Sequence, residues 1–442
     1  MKAVLSNRIY LSSTPELFKR CREALYYVIP PKNSKFGRPE IVNDIVMISP
    51  TVFSIPIGRQ ELIPEDYEII DKRTSVGASI PKPLIELRED QVSIFDAVND
   101  NCLINAKPGY GKTFTGLHIA KKLGLKTLVV VHNTALRDQW EEETYKLFGF
   151  RPDIIGTGKL NSSTSIVISN TQTLVKHLDK FSKEFGTLIV DEVHRTPSTI
   201  FKKIVDSSYA RYKIGLSATI KRKDNKHVFI PDYFSKDIFI PDTDTALIPT
   251  ITIIRTKLRL SVGKVSKVGK LSRKTSGGWA SQLTELCDNP EYIELVSNLV
   301  DIKSNVEGHK VLCIGDRLNF LDVCTKRVAN SVKVTSETTN RKEIHEGFYD
   351  IPTKYNSLFG ITSIYKEGIS VNPLSCLVLG APINNEPLLE QVIGRVTRPH
   401  KGKKNPEIVD IGLDDPVGRR QLATRVNYYI NRGYKIREIR LD

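Results

Sequence analysis

From Leu84 onward, short runs that are apolar on both faces alternate with stretches whose apolar residues recur at helical spacing. "CLINA", "TLVVVH", "SIVISN", "TLIVDE" and "KIGLSAT" are rich in Val, Ile and Leu, as strands covered by helices on both sides must be. The pattern predicts the parallel sheet of a doubly wound α/β domain. A second series, "KVLCIGD", "SVKVTS", "SLFGITS", "SCLVLGAP" and "EIVDIGL", predicts another domain of the same build. The expected fold class is α/β, with two tandem doubly wound parallel-sheet domains.

The first eighty residues differ in texture. "KAVLSNRIYLSS" predicts a strand, "TPELFKRCREALYYVI" an amphipathic helix opened by a Thr or Ser cap, and "DIVMISPTVFSIPIGR" a hairpin turning near Ser49-Pro50. This is a small N-terminal α+β domain, closed by "SIPKP". It reads either as a packing module or as a DNA-binding accessory domain using Lys19, Arg20, Lys32, Lys35, Arg38 and Arg59.

Between the two apolar series, the segment Thr245 to Thr284 holds no acidic residue, while Arg255, Lys257, Arg259, Lys264, Lys267, Lys270, Arg273 and Lys274 supply cations. Its centre, "VGKVSKVGKLSRKTSGG", is too rich in Gly and Ser for a stable helix and predicts a mobile basic loop or hairpin. The expected organisation is an accessory domain at 1–80, an α/β domain at 81–244, a basic linker or hairpin at 245–284 and a second α/β domain at 285–442.

Charge adds a partner to this picture. Lys and Arg outnumber Asp and Glu by 65 to 50, a net +15 over 442 residues, which favours a polyanion through release of its condensed counterions. Many basic proteins bind no nucleic acid, so charge alone does not name the partner. Six scattered cysteines, with no C-x-x-C pair and no Cys/His cluster at metal-ligand spacing, read as reduced core residues. "MKAVLSNRIYLSS" lacks a sustained apolar core, and no segment reaches the ~18 apolar residues of a membrane span, so a cytoplasmic location without a membrane partner is expected.

The candidate chemistry begins at "AKPGYGKT", residues 106 to 113, which departs from the generic G-x-x-x-x-G-K-[ST] phosphate loop at Ala106. Its surroundings are strand, glycine-containing turn and helix, the context in which backbone N–H groups converge on phosphate. Pro108, Gly109, Tyr110 and Gly111 would line the loop, Lys112 would reach the β- and γ-phosphates, and the Thr113 hydroxyl would bind Mg²⁺. Further on, "IVDEVH" ends another apolar strand with Asp191, placed for Mg²⁺, and Glu192, placed to orient or deprotonate the attacking water.

Together these segments resemble the superfamily 2 helicase motors, whose first motif is written A-x-x-G-x-G-K-T and so accepts Ala106. The resemblance spans roughly residues 84 to 430 and implies two RecA-like domains with ATP and Mg²⁺ as cofactors. It implies further roles by position. "LREDQ" would read adenine through Gln91, with Arg88 nearby. "HNTALRDQW" would grip the nucleic-acid backbone through Thr134, Arg137 and Gln139, although an ordinary helix start capped by Asn133 or Thr134 has the same pattern. "SNTQTL" would contact the strand through Thr171 and Gln172, and Ser217 and Thr219 of "LSAT" would couple hydrolysis to movement.

In the second domain, "QVIGRVTR" resembles Q-x-x-G-R-x-x-R: Gln391 would contact the γ-phosphate or water, and Arg395 and Arg398 would serve as arginine fingers. A helix through that stretch would set all three on one face. "ITSIYKEGISV" implies nucleotide contacts from Glu367 and Gly368 and a nucleic-acid contact from Thr362. Ser370 stands there where relatives often carry Asp. "CIGDRLNF" occupies the place of a further backbone-binding motif, but its residues are too generic to assign.

The DEVH box and the Gln that opens "QVIGRVTR" are similar to the branch of restriction-type motors, repair helicases and viral DNA helicases. DEAD-box RNA helicases usually open that last motif with His. The chain resembles compact phage helicases that remodel branched DNA, which implies an ATP-dependent DNA helicase or translocase for Holliday junction migration and fork reversal in phage replication, recombination and repair. It would work as a monomer on forked or branched DNA, with replication or recombination proteins as partners. The alternatives are a viral transcript-release helicase, an RNA helicase, and a nucleic-acid-binding protein with a vestigial phosphate loop. Intact Lys112, Thr113, Asp191, Glu192, Gln391, Arg395 and Arg398 argue against the last.

If the basic segment touches phosphate, neutralising Lys264, Lys267, Lys270, Arg273 and Lys274 together should flatten the dependence of log Kd on log salt concentration. An unchanged slope in a binding titration would make the segment a tether only.

Overall fold

The polar tripeptide Ser6-Asn7-Arg8 breaks the first apolar run. "KAVLSNRIYLSS" therefore forms an antiparallel hairpin, β1 (Lys2–Leu5) and β2 (Ile9–Ser12), instead of the single strand expected. Thr14 caps the helix Pro15–Ala24 by accepting from the Leu17 N–H, and Pro15 occupies the first turn, where its missing N–H is no loss. The helix ends before "YYVI", whose aromatic and β-branched residues form β3 (Tyr26–Ile29), paired with β4 (Glu40–Asn43). The hairpin expected near Pro50 is present as β5 (Val46–Ser49) and β6 (Val52–Ile55), and β7 (Glu68–Asp71) joins β1 in parallel. The resulting sheet, in the order β5-β6-β2-β1-β7, packs Leu5, Ile9, Leu11, Phe53 and Ile55 against Leu17 and Cys21 of the helix.

This computed structural model describes the chain except residues 31–37, 108, 157, 194–198, 219–225, 242–246, 261–278, 336, 350–351, 362–370 and 442. It divides into two units, Met1–Asp244 and Thr245–Asp442, so the accessory domain and the first α/β domain belong to one body.

Buried charge explains that union. Arg8 pairs with Asp206 of the helix Thr199–Ser207 and with Asp44, both at 3.1 Å. Asp44 also accepts from Lys202 at 2.9 Å and from the Tyr233 hydroxyl at 2.9 Å. Arg59 is buried against Asp232 at 3.0 Å and Glu61 at 2.6 Å, and Tyr27 donates to Asp232 at 2.8 Å. Arg59 is thus spent inside the fold, which corrects its expected place among the duplex-binding cations. Lys19 and Arg38 are exposed, Arg20 donates to the Leu62 carbonyl, and Lys32 and Lys35 lie outside the described residues. Gly58 donates to the Asp232 carbonyl at a contact so close that a Cβ would stand 2.5 Å from the Pro231 oxygen.

The first α/β domain is built on β8 (Cys102–Asn105), β9 (Thr127–Val131), β10 (Asp153–Gly156), β11 (Lys159–Leu160), β12 (Ile166–Asn170), β13 (Thr187–Asp191), β14 (Tyr212–Ser217) and β15 (Ile238–Phe239). Their order is β11-β10-β12-β9-β13-β14-β8-β15, parallel except for the edge strand β11. Alternate residues serve opposite faces: Cys102 and Ile104 join one core with Leu117, Trp140 and Leu147, and Leu103 joins another with Phe181, Ile204 and Phe234.

The second unit holds β16 (Thr250–Arg255), β17 (Val311–Gly315), β18 (Ser331–Val334), β19 (Ser357–Ile361), β20 (Cys376–Leu379), β21 (Glu407–Gly412) and β22 (Lys435–Arg440). They form an all-parallel sheet in the order β18-β19-β17-β20-β21-β16-β22. The expected linker 245–284 is corrected here. Its residues Thr250–Arg255 are an inner strand flanked by β21 and β22, and Trp279 opens the helix Trp279–Asp288. The mobile loop expected at its centre, including Lys264, Lys267, Lys270, Arg273 and Lys274, lies outside the described residues.

Arg8→Ala should leave Asp206 and Asp44 buried without their main counter-charge, a loss of about 3–5 kcal/mol. Burial first holds the Asp206 carboxyl above its usual range, against the pull of Arg8. A carboxyl raised in this way supports the fold at low pH and loses that support as pH rises through its folded pKa. Removing Arg8 takes away the charge that draws the Asp206 carboxyl down and so holds it higher still, and thermal melts should show a larger gap between variant and parent at pH 8 than at pH 5. An equal gap would mean that the charges are not what joins the two domains.

Candidate active site

Parallel register brings the candidate residues of the first α/β domain to one edge of the sheet. Asn105 of β8 pairs with Ser217 of β14, and Leu216 of β14 pairs with Asp191 of β13, so three neighbouring strands end together. The phosphate loop leaves β8 at Ala106, whose N–H donates to the Ser217 carbonyl at 2.9 Å. Ala106 is fully buried, and the loop and the "LSAT" segment are thereby joined backbone to backbone. Gly109 and Gly111 stand at φ +92° and +91°, and Gly111 caps the helix Lys112–Leu123. Lys112 and Thr113 therefore begin a helix, where N–H groups and dipole favour phosphate. The Lys112 ammonium donates to the Ala106 carbonyl at 2.9 Å. Pro108 lies outside the described residues.

The segment expected to read adenine is fastened to this loop. Gln91 is buried, its amide donates to the Tyr110 carbonyl at 2.8 Å, and its oxygen accepts from the Arg88 N–H at 3.0 Å. Arg88 donates to the same carbonyl and pairs with Asp90 at 3.0 Å. The Gln91 amide keeps one N–H and one lone pair, the combination that an adenine edge requires.

Asp191 is buried at the end of β13. Its Oδ1 accepts from the Glu192 N–H at 2.9 Å and its Oδ2 from the Trp140 indole N–H at 2.9 Å. Glu192 turns away at φ +53°, a left-handed conformation that costs a non-glycine residue roughly 1 kcal/mol or more. Burial, and then the charge of Glu192, push the Asp191 carboxyl above its usual range, with Trp140 and Lys112 acting in the opposite direction. Trp140 was not legible as a site residue, because its partner lies far away in sequence. The one available signal was chemical: a buried indole N–H needs an acceptor.

The residues expected to hold nucleic acid stand on the adjoining half of the same edge. Thr134 is the exposed first residue of the helix Thr134–Phe148 after β9, and the cap is Asn133, which accepts from the Leu136 N–H at 2.8 Å. Arg137 pairs with Asp138 at 2.7 Å, and its buried Nη1 makes no hydrogen bond among the described residues. Gln139 is half-buried. After β12, Thr171 is buried at the start of the short helix Thr171–Leu174, and Gln172 is exposed. Ser217 is buried, and Thr219 lies outside the described residues.

In the second unit, the helix Glu386–Val396 carries Gln391, buried, and Arg395, half-buried. Thr397 closes this helix, so Arg398 stands beyond it instead of sharing the expected helical face. Thr362, Glu367 and Gly368 follow β19 and lie outside the described residues.

With this geometry in view, residues 84–222 match the family described as "Type III restriction enzyme, res subunit". Over 446 aligned positions the chain is 40% identical to "Probable helicase D10" of Escherichia phage T5, covering 98% of this chain and 95% of that one. The chain belongs to the superfamily 2 helicases. This helicase is also 24% identical over 344 residues to a protein of Acanthamoeba polyphaga mimivirus whose name proposes an ATP-dependent RNA helicase, with coverage of 75% of this chain and 64% of that one. Its fold resembles the crystal structure of the Pyrococcus furiosus Hef helicase domain at a TM-score of 0.50 and 14% identity, over 79% of this chain and 98% of that one. The two parallel-sheet domains are tandem RecA-like domains, and membership of the family makes the protein an ATP-hydrolysing enzyme.

Mg²⁺, which such helicases use with ATP, fits the residues present in this helicase. Asp191 beside Glu192 is a buried concentration of negative charge that a divalent cation relieves. Asp191 and Thr113 would hold the ion, which when bound draws charge from the phosphate oxygens.

Gly111→Ala should abolish ATP turnover without unfolding the chain. The new Cβ meets Gln91 Nε2 at 2.6 Å in a backbone conformation unsuited to alanine, so the loop and the adenine-side segment must part. Nucleotide titration together with a thermal melt checks this, and wild-type affinity in the variant would show that the contact is dispensable.

Proposed function

We propose that this helicase is a DNA-stimulated ATPase that translocates on and remodels branched DNA, migrating Holliday junctions and reversing or unwinding forks in phage replication, recombination and repair. The observation that carries the reading is the division of one sheet edge. Lys112 and Thr113 follow β8, Asp191 ends β13 with Glu192 next to it, Ser217 ends β14, and Thr134, Arg137, Gln139, Thr171 and Gln172 follow β9 and β12. A nucleotide site and a strand site on adjacent loops of one rigid sheet are what a motor needs to turn hydrolysis into movement.

In this reading Lys112 neutralises the terminal phosphates and Glu192 orients water. Gln391, Arg395 and Arg398 of the second domain supply charge to the transferring phosphoryl group, and Glu367 and Gly368 complete the nucleotide contacts. Thr362 and the basic segment with Lys264, Lys267, Lys270, Arg273 and Lys274 add grips on the backbone. Such grips carry no sequence information, so the motor is expected to act on any sequence. DNA is favoured by the match to a restriction-enzyme family over 84–222, by the 40% identity to a phage protein and by the net charge of +15. Among the described residues no helix is long and apolar enough to cross a membrane, and the proposed site of action is the cytoplasm of the host cell.

The test is ATP turnover and product formation on a matched panel of single strand, blunt duplex, three-way fork, four-way junction and RNA duplex, with Lys112→Ala as control. Preferential processing of fork and junction, lost in the control, is the expected result. Equal or better activity on RNA would remove the DNA assignment and leave the motor.

A further inference from the structure

Trp140 occupies a position that filling a core does not explain. Its ring is fully buried, and its indole N–H is committed to Oδ2 of Asp191 at 2.9 Å. The other oxygen of that carboxylate takes the Glu192 N–H, so one N–H fixes each oxygen. The first comes from the turn that ends β13. The second comes from the helix Thr134–Phe148, the same helix whose opening turns carry Thr134, Arg137 and Gln139. Six residues along a helix is roughly 9 Å.

The ring is also wedged against the helix that follows the phosphate loop. A Cβ on Gly116 would stand 3.3 Å from the far edge of the indole and 3.2 Å from Leu216. Neither helix can shift against the other without moving the indole, and a moved indole turns the carboxylate. Phenylalanine would keep an aromatic ring in the core, though without the far edge of the indole. The N–H is what phenylalanine lacks.

We propose that Trp140 is a positioning residue through which nucleic acid, held at the start of the helix Thr134–Phe148, sets the orientation of Asp191 and so raises the rate of ATP hydrolysis. The inference rests on the reading of Thr134, Arg137 and Gln139 as strand contacts. Its physical step is small: a phosphate drawn onto the first turns of the helix displaces the helix by a fraction of an ångström, and the hydrogen bond carries that displacement to the carboxylate. Arg137, with a buried N–H that finds no acceptor among the described residues, stands three residues from Trp140 on the same helix.

The test begins with Trp140→Phe, which keeps a ring and removes the N–H. The gain in affinity for a fluorescent ADP analogue on adding Mg²⁺ should shrink by about tenfold, as expected for one hydrogen bond to a charged group. Stimulation of ATPase by single-stranded DNA should shrink by a similar factor. A variant with the parent's melting temperature, Mg²⁺ gain and stimulation would reduce Trp140 to core packing and overturn the proposal.

A second measurement leaves residue 140 intact. The chain has two tryptophans, so Trp279→Phe isolates the emission of Trp140. Single-stranded DNA added without nucleotide should shift that emission, and so should Mg²⁺ with ADP. Silence to both would also overturn the proposal. If RNA stimulates the parent and DNA does not, the DNA reading falls, and the same comparisons made with RNA decide the role of Trp140. If neither stimulates, the link to nucleic acid fails, and the Mg²⁺ gain alone shows whether Trp140 orients Asp191.

Discussion

The hydrogen-bond register of three parallel strands is the constraint on which the rest depends. With Asn105 opposite Ser217 and Leu216 opposite Asp191, the strands β8, β14 and β13 must release their chains at one level. A slip of two residues in either pairing would keep every side chain on its proper face but carry the phosphate loop or the acidic pair about 7 Å along the sheet. Packing guards against that slip. A Cβ on Gly215 would lie 2.5 Å from Leu103 and 3.0 Å from Val193, so the notch left by glycine fits one alignment of the strands. The N–H of Ala106 reaches the Ser217 carbonyl only in that alignment, and a side chain as small as alanine suits the fully buried position.

The same strands extend the constraint to the accessory domain. Asp206 lies in the helix that follows the acidic pair, Asp232 lies in the helix that follows the "LSAT" strand, and these are the carboxylates that Arg8 and Arg59 bind. Lys213, within β14 itself, is buried and donates to the Asn7 and Val205 carbonyls, and burial lowers its pKa to about 7. Desolvating so many charges costs free energy that their pairing only partly returns. An apolar interface would hold as firmly but would allow sliding, whereas paired charges accept one arrangement. The accessory domain is therefore tied to the helices downstream of the acidic pair and of the "LSAT" strand, as a mechanical extension of the first RecA-like domain.

Much of this was legible in sequence because strands buried on both faces cannot disguise themselves: all ten apolar runs became strands. Elements that were missed were hidden by charge beside or within them. β16 is as apolar as the others, but basic neighbours on its carboxyl side made the whole segment read as a linker. β22, "KIREIR", lies at a sheet edge, where charged side chains block further pairing and hide the strand pattern. In the site, residues of the contiguous motifs could be named from the chain alone. Partnerships across the fold could not: nothing near Arg59 announces Asp232, and nothing near Trp140 announces Asp191. Only the helical placement of Arg398 was misread, since the helix that should have carried it ends at Val396.

The adenine-side segment shows why contiguous motifs are not independent parts. Gln91 and Arg88 both donate to the Tyr110 carbonyl, and Tyr110 returns a hydrogen bond from its hydroxyl to the Asp90 carbonyl. Gly111 must lack a side chain because Gln91 fills the place where one would stand. A loop bound this way on one side and to Ser217 on the other has little freedom left, so its N–H groups are arranged before phosphate arrives. Such preorganisation lets binding energy favour the transition state instead of being consumed in ordering the loop. In the proposed reading, with Gln91 on the base and Lys112 on the phosphates, one rigid body would read both parts of the nucleotide, so a ligand lacking either part should lose more than the contacts of that part.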